Sequence, residues 1–74
     1  MSKRYVYYML MRPPAPGAMP FDGLADLNDF GERTYVREID RKAWGKLIYM
    51  RKLSDQEVED FELAPGREFD LYEL

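Results

Sequence analysis

The stretch Arg33–Phe61, RTYVREI-DRK-AWGKLIYMRKL-SDQEVEDF, decides how this chain folds. Arg33 to Ile39 alternates polar and apolar side chains, the period of a strand with one buried face. Asp40, Arg41 and Lys42 break it with a short polar run. Ala43 to Leu53 then resumes a strand pattern rich in branched and aromatic residues. So short a break joins neighbouring antiparallel strands, and the stretch reads as a β-hairpin. Gly45, beside Trp44, marks a bulge or a close approach of another backbone. Ser54-Asp55-Gln56-Glu57 then fits S-x-x-E, in which hydroxyl and carboxylate each satisfy one free N–H at a helix start. A short helix from Asp55 to Phe61 follows, with Val58 and Phe61 on one face. Asp55 and Glu57 suit its positive end. Pro65 and Gly66 are expected to end it.

Upstream, Arg4–Met11 (RYVYYMLM) is a further strand. Alternation puts Tyr5, Tyr7, Met9 and Met11 on one face and Val6, Tyr8 and Leu10 on the other. Both faces are apolar, so this strand belongs inside the sheet. Residues 13–32 read as a Pro/Gly-rich loop. Pro13, Pro14, Pro16 and Pro20 stiffen its first half, with Met19 and Phe21 expected in the core. Leu24, Leu27 and Phe30 recur three apart, which suggests one helical turn between Gly23 and Gly31. Residues 66–74 form a last strand or a tail. The expected fold is a single α+β domain over 1–74, a small antiparallel sheet of three to four strands with one short helix.

The chain has 74 residues, enough for one modest core. Apolar residues at 46% place it among globular chains, and the 15% aromatic share supplies large rings to fill that core. There is no cysteine and no histidine. Disulfides, thiolate chemistry, zinc sites and Ser-His-Asp triads are therefore excluded. Gly17, Gly23 and Gly31 lack the spacing of a phosphate-binding loop. The apolar run after Arg4 is far shorter than the about 20 residues of a membrane helix. No catalytic residue, metal or cofactor is expected. The expected compartment is the cytoplasm of a host bacterial cell.

Net charge is −3, arranged in blocks. Residues 13–32 carry four acidic side chains and no basic one. Residues 33–53 carry seven basic and two acidic side chains, and 54–74 carry eight acidic ones against Arg67. Two candidate surfaces follow. The first is acidic: Asp55, Glu57, Glu59, Asp60 and Glu62, suited to a basic groove on a protein partner. The second is basic and aromatic: Arg37, Trp44, Lys46, Tyr49 and Arg51, with Arg33, Tyr35, Arg41, Lys42 and Lys52 nearby. Such a face can hold single-stranded nucleic acid by stacking and phosphate contacts. Acidity elsewhere in so small a domain opposes that binding within the Debye length of about 8–10 Å, so nucleic acid ranks second to protein. The loop Arg12–Pro20 is a rigid crossover or, alternatively, a contact element of polyproline type.

Tyr5–Pro20 (YVYYMLMRPPAPGAMP) and Trp44–Leu63 (WGKLIYMRKLSDQEVEDFEL) together resemble small accessory proteins of Firmicutes phages and integrative mobile elements. No catalytic or binding residue carries over from that resemblance. It implies a class: non-enzymatic proteins that bind and inhibit a host protein, with a CRISPR nuclease or another defence protein as the target. The alternatives are a nucleic-acid-binding accessory module and a structural or assembly subunit, with a homodimer as its expected state.

Overall fold

A computed structural model describes residues 3–71. The elements are β1 (Lys3–Met9), β2 (Leu24–Val36), β3 (Arg41–Tyr49), α1 (Asp55–Asp60) and β4 (Leu63–Asp70). All pairings are antiparallel, in the order β2-β3-β1-β4. The α+β expectation holds: a four-stranded antiparallel sheet with a short helix. β1, apolar on both faces, lies between β3 and β4. The hairpin joins β2 to β3 through a turn at residues 37–40, where Asp40 has φ 53° and its N–H donates to the Arg37 carbonyl at 3.2 Å.

Each sheet face has its own cover. On one face Tyr7, Met9, Leu47 and Tyr49 meet Ala18 and Met19 of the Pro-rich loop, with Leu24, Val58 and Phe61 packed alongside. On the other face Val6, Tyr8, Ala43 and Ala64 are covered by Phe30, Val36 and Ile39 of the hairpin and by Phe69. Leu47 and Tyr49 are fully buried. Burying one such side chain stabilises the fold by about 1.5–3 kcal/mol. Buried hydroxyls find partners: Tyr49 donates to the Pro20 carbonyl at 2.6 Å, and Tyr7 accepts from the Leu53 N–H at 2.9 Å. The two rings meet edge to face, 5.8 Å apart.

The sequence expectations need four corrections. First, residues 24–32 are not loop but the outer half of β2. Bulges between Leu24 and Asp26 and between Asp29 and Thr34 break the strand's period of two. Apolar residues therefore fall three apart, which imitates a helical turn. Second, the turn is residues 37–40, so the first hairpin strand ends at Val36 rather than Ile39, and β3 runs from Arg41 to Tyr49 rather than from Ala43 to Leu53. β1 likewise ends at Met9 rather than Met11. Third, α1 ends at Asp60 with Phe61 as its C-cap, and the chain reverses at Glu62, φ 55°. β4 then continues through Pro65 and Gly66, with a break in its register against β1 between Pro65 and Glu68. Proline is tolerated there because β4 is an edge strand with no second ladder to feed. The last-strand expectation is met up to Asp70, and its part over 72–74 lies outside the described residues. Fourth, Met19 is buried as expected, but Phe21 is 89% exposed.

Gly45 is a close approach, as its position suggested. A Cβ there would lie 2.7 Å from Pro14 Cγ and 2.9 Å from the Asn28 carbonyl oxygen. The missing side chain lets the Pro-rich loop lie flat on β3.

Candidate functional site

The capping box forms as the sequence required. Ser54 Oγ accepts from the Glu57 N–H at 3.1 Å, and Glu57 accepts from the Ser54 N–H at 2.9 Å. Glu57 also takes both guanidinium nitrogens of Arg51, at 2.9 and 2.8 Å. The Arg51 hydrogen bonds, then the Ser54 N–H, bring the Glu57 carboxyl down to about 2. Glu57 is thus committed to the fold. Glu62 pairs with Arg12, and Asp60 accepts from Gln56 at 2.7 Å. Of the five acidic candidates, Asp55, Glu59 and Asp60 remain exposed along the helix with no ion pair among the described residues. The surface is smaller than the sequence suggested, because two of its carboxylates hold arginines.

The basic candidates separate. Tyr49 lies in the core and cannot stack on a base. Arg51 is held by Glu57 and hydrogen-bonds the Asp22 carbonyl at 2.9 Å. Lys46 lies beside Ile48, Asp26 and Asn28. Arg37 is exposed in the hairpin turn, and Trp44 is half-buried beside Arg33, Leu10 and Met11. Farther out on the hairpin, Tyr35 and Lys42 sit opposite one another, so they share a face. Tyr35 is 55% exposed, and its hydroxyl donates to Asp40 at 2.5 Å. Among the described residues Arg33, Arg37, Arg41, Lys42 and Lys46 make no ion pair. Of the two acids within residues 33–46, Asp40 is occupied with Tyr35 and Glu38 with Arg67 and Tyr8, while Glu32 lies exposed just before Arg33. What emerges is a cationic arm with an exposed tyrosine.

A third surface joins the Pro-rich loop, which the sequence offered as a contact element, to β2, which it did not. Pro14, Pro16, Met19, Phe21, Leu24 and Leu27 line an apolar groove between the Pro-rich loop and β2. The signal for it was Phe21-Asp22-Gly23-Leu24. Gly23 has φ 82°, and the Leu24 N–H donates to the Phe21 carbonyl at 3.2 Å. A β-turn with glycine third reverses the chain directly after Phe21, whose ring is left 89% exposed.

Within the described residues no group of acidic side chains is arranged to hold a metal ion. No described helix is long and apolar enough to cross a membrane.

No curated protein and no solved structure matches the chain. One family model does, over residues 2–68, under the description Defence against restriction A C-terminal. That span takes in all four strands nearly to the end of β4, the helix and the three surfaces. It supports the coarse class that the resemblance to accessory proteins of mobile elements implied, an anti-defence type. With most of its length matched, the chain belongs to the Defence against restriction A C-terminal family.

Proposed function

We propose that this domain acts without catalysis, by binding a protein of the host's restriction machinery in the host cytoplasm and blocking its access to DNA. The observation that carries the proposal is the family match over residues 2–68, whose description names defence against restriction. A restriction enzyme accordingly takes the target role that the sequence reading gave to a CRISPR nuclease. The exposed carboxylates of Asp55, Glu59 and Asp60 support a protein partner with a basic, DNA-binding groove, since opposite fields steer such surfaces together. The remaining strongly held charges, Glu57 with Arg51 and Glu38 with Arg67, serve the fold.

The test passes lysates of a restricting strain, and of the same strain lacking its restriction genes, over the immobilised domain. A restriction subunit should be retained from the first lysate only. Asp55→Lys, Glu59→Lys and Asp60→Lys together should weaken that retention, and added salt should weaken it further. Failure to retain any restriction subunit at low salt overturns the proposal.

A second reading has its own observation, five cations of the hairpin arm with no ion pair among the described residues, and exposed Tyr35. It makes the arm a nucleic-acid contact, by phosphate pairing and base stacking. DNA binding near physiological salt that is lost in the combined variant Arg33→Glu, Arg37→Glu and Lys42→Glu, and kept in the helix variant, would put this reading first.

A further inference from the structure

The groove between the Pro-rich loop and β2 has a volume of about 370 Å³. Its lining is apolar apart from Asp29, and Phe21 stands at its mouth. We propose that it docks an extended segment of a partner protein whose apolar anchors are flanked by lysine or arginine. The proposal rests on the protein-binding reading above and names the chemistry of the segment bound.

The walls are built before any partner arrives. Pro14 is seated on Gly45. The Pro20 carbonyl is tied to Tyr49, and the Ala18 N–H donates to the Ala15 carbonyl at 2.9 Å. On the other side the turn under Phe21 is fixed by Gly23 and by Arg51, which donates to the Asp22 carbonyl at 2.9 Å. A prebuilt groove loses little entropy on binding. An aromatic ring left 89% exposed beside it is the kind of side chain that dominates interface energies.

Charge selects the occupant. The stretch 13–32 that supplies the whole groove has four acids and no base. Asp29 lines it, and the Asp22 side chain is 94% exposed. Asp22 has a cation nearby, Arg51 at 3.6 Å, but Glu57 already holds that guanidinium at 2.8 Å. A basic segment is attracted, and nucleic acid is repelled. A second copy of this chain is disfavoured as well: a two-fold contact would bring the same four acids against themselves. Main-chain pairing along β2 is not the recognition mode. Asp26 accepts from the Leu27 N–H at 2.8 Å and Asp29 from the Gly31 N–H at 2.9 Å, which uses up donors a new strand would need. The side chains of the segment are therefore what the groove reads.

The experiment titrates isotope-labelled protein with two blocked synthetic peptides, KLFKLK and ELFELE, and follows backbone amide shifts. The basic peptide should move the amides of Ala15, Met19, Phe21, Leu24 and Leu27, and bind about tenfold or more tightly than the acidic one at low salt. Phe21→Ser, an exposed position that leaves the core intact, should weaken it by about tenfold. Equal binding of the acidic peptide, or shifts confined to α1, overturns the proposal. So do groove shifts that track the protein's own concentration without peptide, because a second copy then fills the groove. If a restriction subunit is retained equally by Phe21→Ser protein, the groove fails and the protein-binding reading stands. If no subunit is retained while KLFKLK binds as described, that reading fails and the groove stands.

Discussion

The Glu38 carboxylate, at the tip of the β2–β3 hairpin, accepts a hydrogen bond from the Tyr8 hydroxyl of β1 at 2.9 Å. The same carboxylate accepts from the backbone N–H of Arg67 and, at 2.9 Å, from its guanidinium. One side chain thus fastens the hairpin to the central strand and to the β4 edge. The space it occupies exists because residue 66 is glycine: a Cβ there would lie 2.5 Å from the carboxylate and 2.9 Å from the Tyr8 ring. Glu38→Ala should cost about 1–3 kcal/mol, because it strands the Tyr8 hydroxyl. Tyr8→Phe should cost less in a chain that already carries Glu38→Ala, with a coupling of about 0.5 kcal/mol or more in a double-mutant cycle. Urea midpoints measure both, and strict additivity would count against the clamp.

Gly45→Ala should destabilise by about 1–3 kcal/mol, the usual range for overpacking. Pro14→Ala in the same chain should restore only part of the loss. Pro14 is one obstacle to the new methyl, but the Asn28 carbonyl at 2.9 Å is backbone and cannot step aside. Melting temperatures of the three variants decide it.

Ser54→Ala removes one half of the capping box and should cost about 0.5–2 kcal/mol. Glu57, the other half, sets a pH dependence. Its carboxyl lies at about 2 in the fold, against an ordinary value of 4.5. The unfolded chain therefore binds more protons in that interval, so stability rises with pH through it. The contribution is complete above about 4.5 and is lost as pH falls toward 2. Glu57→Gln should be less stable at neutral pH, and its melting temperature should fall less steeply over that window. Parallel profiles would exclude the Arg51–Glu57 pair as the source.

At alkaline pH Tyr8 and Tyr49 should ionise late, and the hydrogen bond to Asp40 raises Tyr35 as well. Burial, helped by the Glu38 hydrogen bond, pushes Tyr8 up to about 12, and burial pushes Tyr49 to about 12. Both folded values exceed the ordinary 10, so each contribution to stability is whole below pH 10 and drains away between 10 and 12. Tyrosinate absorbance should show late steps that Tyr8→Phe and Tyr49→Phe each reduce. If neither variant alters the late portion, the assignment is wrong.

The sequence by itself determined the local structure. S-x-x-E at 54–57 is a helix start because its hydrogen bonds close within four residues. The doubly apolar β1 had to be internal, and the short break after Ile39 had to be a hairpin. Those features depend on neighbours in the chain. Tertiary structure decided the rest, for reasons of geometry across the sheet. The two bulges of β2 are set by its pairing with β3, and they turned a strand into an imitation of a helical turn. Pro65 is acceptable only because β4 has one neighbour. The division of the charges was equally out of reach of composition. Arg51 and Glu57 are six positions apart, Glu38 and Arg67 twenty-nine. Only folding shows that these pairs neutralise one another while Arg33, Arg37 and Lys42 make no ion pair among the described residues. Phe21 is the sharpest case: its hydrophobicity argued for the core, but a turn locked by Gly23 and Arg51 leaves it at the surface, where a partner can reach it.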